Sequence, residues 1–347
     1  MNTPNSELRI PNSELTLPLP DDFHAHLRQG ELMPGYVRDL VSQFGRAIIM
    51  PNTVPAMTSA AAIADYKKQI LEAAAPVRPD FEPLMTFKLN PNYTEQDLKD
   101  MMAVGVVAGK YYPAGVTTNS ADGISDFEAV FPVVALMEKL GLVLCVHGEE
   151  PGEFCLDREP AFIKRVETLA EKFPKLRIVF EHLSSAKSVE AVKRLPANVA
   201  ATFTVHHLMM TLDDIVGDAL RPHHFCKPLP KRPEDRKAIR EAAFSGNPKF
   251  FLGTDSAPHQ QGKKECPCGA AGVYSAPVAI PLLVQEFERA GALDKLPNFI
   301  AGFGADFYGL PRTTKQIKVV KESWTVPAIV NGVVPLAAGQ TLEWKLK

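Results

Sequence analysis

Eight short apolar runs, each closing on a polar or metal-binding residue and each followed by a helical pattern, set the order of this chain. Such alternation marks a parallel sheet, because joining parallel strands takes a crossover long enough to hold a helix. The first run leads through Leu15 to Leu19 into His24 and His26. The second, Arg46 to Met50, ends at Pro51-Asn52-Thr53, and a helix capped by Thr58 or Ser59 is expected from Ala60 to about Ala74. The third, Phe81 to Leu89, precedes a helix opened by Thr94 with Asp97 in capping-box register. The fourth, Val104 to Tyr112, carries Lys110 inside an otherwise apolar stretch. Its loop, Pro113 to Ile124, is rich in Gly, Thr, Asn and Ser and long enough to move, and Ser125 with Glu128 predicts the next helix start. Gly141 to Val146 ends on His147, Leu176 to Phe180 on Glu181-His182, Val199 to Val205 on His206-His207, and Phe250 to Thr254 on Asp255 and, four residues on, His259. Strand ends loaded with His, Lys, Asn and Asp fit an α/β fold of the (β/α)8 TIM-barrel type, which gathers its active site from the C-terminal ends of its strands. The whole chain, 1-347, is expected to be a single barrel domain with short N- and C-terminal additions. Trp324 to Val330 and Thr341 to Leu346 are candidate extra strands near the N-terminal segment.

The densest strand end is Asp22-Phe23-His24-Ala25-His26-Leu27-Arg28. On a strand, side chains at i and i+2 share a face roughly 7 Å apart, so His24 and His26 are expected to grip one metal ion. Arg28 extends that face with a planar cationic fork suited to a carboxylate. A hydrophobic content of 46% with 22% charged residues is ordinary for a globular enzyme, and a net charge of -2 offers no basic surface for nucleic acid. Small-molecule chemistry is the remaining class. No apolar stretch is long enough for a membrane helix, and Met1 to Glu14 lacks the features of a signal peptide, so a cytoplasmic location is expected. Five cysteines (Cys145, Cys155, Cys226, Cys266 and Cys268) argue against a disulfide framework. Cys266-Pro-Cys268 has the wrong spacing for a zinc knuckle and reads as loop thiols.

Taken together, Pro20 to Arg28, Arg46 to Thr53, Lys110-Tyr-Tyr-Pro113, Thr117-Thr-Asn-Ser120, Val146-His-Gly-Glu149, Phe180-Glu-His182 and Leu252 to His259 resemble the dihydroorotase family of the amidohydrolase superfamily. More narrowly, they are similar to its short bacterial and fungal type. The motifs run in the family's order over most of the chain.

This resemblance implies a hydrolase acting on cyclic amides, which reversibly cyclises N-carbamoyl-L-aspartate to L-dihydroorotate in pyrimidine biosynthesis. It implies two divalent metal ions, usually zinc. His24, His26 and Asp255 would hold the more buried ion and His147 and His182 the other, while Lys110, carboxylated by CO2 to N6-carboxylysine, would bridge them. Arg28, Asn52 and His259 would bind the substrate with backbone help near Ala271, Thr117 and Thr118 would lie in a mobile lid, and Asp255 would also carry the catalytic proton. A homodimer is common in the family. Phe23 stands where a Trp is common, and Lys227 where some relatives have an apolar residue. The charge logic agrees: a Lys110 ammonium would be repelled by two divalent cations, whereas a carbamate offers one oxygen to each. His206, His207, His223 and His224 fall outside the matched motifs and read as packing, loop or supporting residues. Two other readings share the metal cage: a cyclic amidase acting on hydantoins or dihydropyrimidines, against which Arg28 argues, and a catalytically dead barrel serving as an assembly partner, which would have lost a ligand.

Overall fold

A computed structural model describes residues 14–118, 120 and 123–347. The polar segment before Glu14, and Asn119 of the Thr117–Ser120 motif, lie outside the described residues. The chain enters through β1 (Glu14–Pro18) and then lays down β2 (Asp21–Ala25), β3 (Arg46–Ile49), β4 (Glu82–Lys88), β5 (Val106–Tyr111), β6 (Val143–Val146), β7 (Arg177–Phe180), β8 (Val199–Phe203) and β9 (Phe250–Leu252). Strands β2 to β9 form one eight-stranded parallel sheet in sequence order. Just past their ends the first and last of these meet: the Asp255 amide donates to the His24 carbonyl (2.8 Å) and the His26 amide to the Ser256 carbonyl (3.0 Å). The sheet thus curls into a (β/α)8 barrel, with helices such as Met33–Gln43, Ala60–Ala74 and Arg158–Lys172 between successive strands and Ala279–Arg289 after the last.

Period-2 alternation separates two apolar layers. Val143 and Cys145 of β6 point into the barrel with Ile48, Leu84, Ala108, Val179, Ala200 and Phe251, while Leu144 and Val146 join the outer layer beneath the helices. Phe23 plugs the interior, 5.2 Å from the Tyr308 ring and 5.1 Å from Phe251, and lies so close to Gly304 that a Cβ there would stand 2.2 Å from its ring. The Phe-for-Trp departure therefore concerns packing.

Several local expectations are met. Ser59 caps Ala60–Ala74 by accepting from the Ala62 amide, and Thr94 and Asp97 form a reciprocal capping box on Glu95–Ala103. Others need correction. Leu15 to Leu19 does not supply the first barrel strand: β1 pairs antiparallel with β10 (Gln316–Val320), outside the barrel, and the histidine pair belongs to β2. Ser125 is not the next cap either, since a 3-10 turn, Glu128–Val130, intervenes and Asp126 accepts from the Glu128 amide before the helix Phe131–Leu140 begins. In the tail, β11 (Trp324–Thr325) pairs with β12 (Thr341–Leu342), and β13 (Lys345–Leu346) extends the β1–β10 sheet. Among the described residues no helix is long and apolar enough to cross a membrane.

Candidate metal centre and anion clamp

Side chains from β2, β5 and the ends of β6, β7 and β9 converge at the C-terminal mouth of the barrel. His24 and His26 both approach Asp255 Oδ1, at 3.4 and 3.0 Å from their Nε2 atoms. His147 Nδ1 lies 3.1 Å from His182 Nε2, and the His24 and His182 rings are 5.1 Å apart. Donor atoms of His24, His182 and Asp255 all fall within 4.8 Å of one another. His26 lies one residue past β2, where its amide still bonds the Ser256 carbonyl, so the strand's alternation carries just beyond its end and brings the two rings to one face.

Neighbouring carboxylates fix which nitrogen points inward. An ionised carboxylate only accepts, so Glu181 Oε2, 2.9 Å from His24 Nδ1, places the proton there and leaves Nε2 as a lone-pair donor. Glu149 does the same for His147, meeting Nε2 at 2.8 Å and freeing Nδ1. Burial lowers His26 to about 4 and holds His182 well below the imidazole range, which keeps both neutral at pH 7. Burial alone would raise Asp255, yet His24, His26 and His182 around it keep its carboxyl well below the usual carboxylate range.

Lys110 lies beneath this cluster on the inward face of β5, fully buried, and its Nζ has no hydrogen-bond partner among the described residues. Burial pushes its pKa down against the pull of Glu181, Cys145 and Asp255. Glu181 Oε1, His182 Nδ1 and the Tyr112 hydroxyl are also buried without hydrogen-bond partners among the described residues. Such orphaned groups are costly, and their concentration in one place fits a site built to be completed by a bound cation and an added anionic group.

Backbone strain gathers here as well. Arg28, His182 and Asp255 have φ of 59°, 43° and 46°, a left-handed region that non-glycine residues enter at a cost of about 1–3 kcal/mol. Each is held by its surroundings: the Tyr66 hydroxyl donates to the Arg28 carbonyl at 2.5 Å, Thr202 Oγ1 accepts from the His182 amide at 2.7 Å, and Asp255 is pinned to the His24 carbonyl.

Beside the candidate ligands lies a candidate anion clamp. Arg28 Nε donates to the Pro258 carbonyl (3.1 Å), and Nη2 stands 2.9 Å from His259 Nε2, which is also 3.0 Å from the Ala271 carbonyl. That ring nitrogen cannot accept from Arg28 and donate to Ala271 at once; an anion taking the guanidinium N–H would resolve the conflict. Asn52 Nδ2 donates to the Thr118 carbonyl (3.2 Å), and Thr118 Oγ1 to the Ala271 carbonyl (3.4 Å), so the loop that carries Thr118 spans the two walls. Arg28, Asn52, Thr117, Thr118, Lys227 and Ala271 line the same pocket as His24, His26, His147, His182 and Asp255.

The amidohydrolase family model matches residues 22–319. A dihydroorotase from Shewanella pealeana is 46% identical over 343 residues, covering 96% of this chain and 99% of its own length. Among solved structures, dihydroorotase from Campylobacter jejuni superposes with a TM-score of 0.91 at 38% identity, covering 99% of this chain and 100% of the other. Dihydroorotase from Saccharomyces cerevisiae, in complex with 5-fluoroorotic acid, gives 0.88 at 35% identity over 96% and 98%. The chain belongs to the amidohydrolase family, among its dihydroorotases.

Amidohydrolases are metal-dependent, and this member has candidate ligand groups for such ions. Reading the sequence for ligands overlooks the residues that aim them. Glu181 and Glu149 flank His182 and His147 in the chain, a signal visible only once those histidines are singled out. Asp22 accepts from the His24 and Thr254 amides (3.1 and 2.8 Å) and from Thr254 Oγ1 (2.6 Å), tying β2 to the segment beyond β9. The remaining histidines divide. His223 pairs with Glu265 (2.8 Å) and His224 Nδ1 with the Asp214 carbonyl (2.8 Å). His207 uses both nitrogens, on Thr204 Oγ1 and the Pro228 carbonyl, whereas buried His206 uses neither among the described residues.

Proposed function

We infer that this dihydroorotase interconverts N-carbamoyl-L-aspartate and L-dihydroorotate at a site holding two divalent metal ions, zinc being the ion such a histidine-rich set favours. His24, His26 and Asp255 would hold one ion, His147 and His182 the other, and Lys110 would contribute to both as a carbamate. The observation that carries this reading is the Lys110 amine, buried beside the candidate ligands with no hydrogen-bond partner among the described residues. A neutral amine is a nucleophile: Nζ attacks the carbon of CO2, one N–C bond forms, one proton leaves, and the product is an anion with two oxygens.

When bound, the metals supply Lewis acidity, polarising the amide carbonyl and making water acidic enough to act as a nucleophile near neutral pH. In hydrolysis Asp255, kept ionised by the surrounding imidazoles, takes the proton of the attacking oxygen and delivers it to the ring nitrogen as the C–N bond breaks. In synthesis it removes that proton from the carbamoyl nitrogen as the bond closes. Arg28, Asn52, His259 and the Ala271 backbone hold the carboxylate that does not react, so that remote binding orients the amide. Thr117 and Thr118 close over it and exclude water. A hydantoin- or dihydropyrimidine-acting amidase would have no use for the Arg28 and His259 clamp. The chain as a whole is read as one barrel domain.

Substitution of Lys110 tests the bridge. An ordinary buried lysine would tolerate Arg better than Ala, but no cation imitates a carbamate. Lys110→Ala and Lys110→Arg are both expected to lose activity and much of one metal equivalent, measured by elemental analysis, with acetate restoring part of the rate to the Ala variant. A fully metallated, active Lys110→Arg enzyme would refute the bridge.

A further inference from the structure

Lys264 sits on the short helix Gln261–Lys264 outside the metal cage, only 3% exposed. Its Nζ donates to three backbone carbonyls: Phe225 (2.8 Å), Ala270 (2.8 Å) and Gly272 (2.6 Å). An ammonium has three N–H groups, and here each meets one acceptor. Those acceptors belong to the two loops that wall the substrate pocket, one leading into Lys227 and the other carrying Ala271. The Gly272 amide adds a direct bond to the Phe225 carbonyl (2.9 Å).

The consequence for Ala271 is geometric. With the carbonyls on either side of it fastened to a single ammonium, the Ala271 carbonyl faces the other way and receives both Thr118 Oγ1 and His259 Nε2. Among the described residues no acceptor takes the Ala271 amide, which remains available to an anion. Gly272 has φ of 153°, and a Cβ there would lie 2.7 Å from the Ala257 carbonyl oxygen, so the loop must run close against the β9 extension and has little room to find another path.

We propose that Lys264 is a positioning residue for substrate recognition, a buried three-point tie that sets the Ala270–Gly272 segment, and through Ala271 the His259 ring and the Thr118 lid contact, at the spacing the substrate carboxylate requires. This rests on the dihydroorotase reading of the site. The tie also has a pH limit. Burial lowers Lys264 to about 8; Cys226 pulls the other way and Arg28 adds to the lowering. The titratable and charged groups facing it are Cys226, Arg28, His259 and His206, each within electrostatic reach of the lysine. A neutral amine has two N–H groups and a lone pair, so one carbonyl loses its donor as the pH rises past that point.

The test uses the metal-loaded enzyme, with KM and kcat for L-dihydroorotate from pH 7 to 9.5 and hydrogen–deuterium exchange across the chain. Lys264→Met should raise KM about tenfold or more with a smaller change in kcat and a full metal complement, and should speed exchange around residues 225–228 and 269–273. In the unsubstituted enzyme KM should climb above about pH 8, and in Lys264→Arg, whose charge does not titrate there, that climb should vanish. Should the Met variant fail to fold, the comparison of the unsubstituted and Arg enzymes decides alone. A Met variant with unchanged KM, or the same alkaline rise in the Arg enzyme, would overturn the proposal. Failure of the unsubstituted, fully metallated enzyme to hydrolyse dihydroorotate would instead sink the reading of the reaction, and unaltered exchange in the two loops would then remove the tie as well.

Discussion

The Arg28 fork is aimed before any substrate arrives, because Nε is spent on the Pro258 carbonyl and the Tyr66 hydroxyl holds the backbone behind it. Arg28→Met should therefore weaken substrate binding without disturbing the metals: loss of one partner of such a charged pair costs about 2–5 kcal/mol. Steady-state kinetics with metal analysis checks this, and unchanged KM at full metal content would take Arg28 out of the clamp. His206 makes the opposite kind of prediction, since both its ring nitrogens are buried without partners among the described residues and burial lowers it to about 4. Above about pH 6.5 the ring is neutral folded and unfolded alike. Below that, the unfolded chain takes up a proton that the folded one refuses until about pH 4, so stability falls as pH drops through this window. His206→Leu should be stabilising by about 1–3 kcal/mol at pH 7 and should flatten the acid loss, read by urea denaturation at pH 7 and 5. At this scale the sequence was legible where a residue's chemistry is its signal: the five candidate imidazole and carboxylate ligands and Arg28 line one pocket, with the Lys110 amine buried close by. It was silent about Glu181, Glu149 and Lys264, whose importance lies in what they touch across 157 positions of chain in the case of Glu181 and His24.

Elements were legible in proportion to how local their causes are. A capping box is decided within four residues, and Thr94 with Asp97 formed one as read; Ser125 failed because Asp126 took the neighbouring turn and a 3-10 segment preceded the helix. The apolar run Leu15 to Leu19 has the right composition for a barrel strand, yet its partner is β10, some three hundred residues away, and nothing in a short window separates the two fates. Asp22 lies in the adjacent strand and shows what fixes the register there. It receives three hydrogen bonds at the seam where β2 meets the chain leaving β9. Asp22→Ala would strand the His24 and Thr254 amides and the Thr254 hydroxyl, and should cost about 2–4 kcal/mol in chemical denaturation, with metal content falling because His24 and Asp255 flank that seam. Wild-type stability in this variant would mean that the barrel closes by other contacts.

For the molecule as a whole, the barrel explains why candidate ligands scattered from His24 to Asp255 come together: parallel strands in sequence order deliver every C-terminal end to the same rim. It also separates duties, with packing below in the Phe23, Phe251 and Tyr308 cluster and chemistry above, so the strained backbone at Arg28, His182 and Asp255 is carried by a scaffold that does not share in the reaction. On the proposed reading, what the rim turns over is decided by the clamp beside the candidate metal ligands. L-Dihydroorotate and dihydrouracil present the same ring amide and differ by one carboxylate, so hydrolysis of the two by the metal-loaded protein is the direct measurement. The Arg28, Asn52, His259 and Ala271 arrangement predicts a kcat/KM for dihydroorotate at least about 100-fold above that for dihydrouracil. Equal turnover of the two, or turnover of dihydrouracil alone, would contradict it.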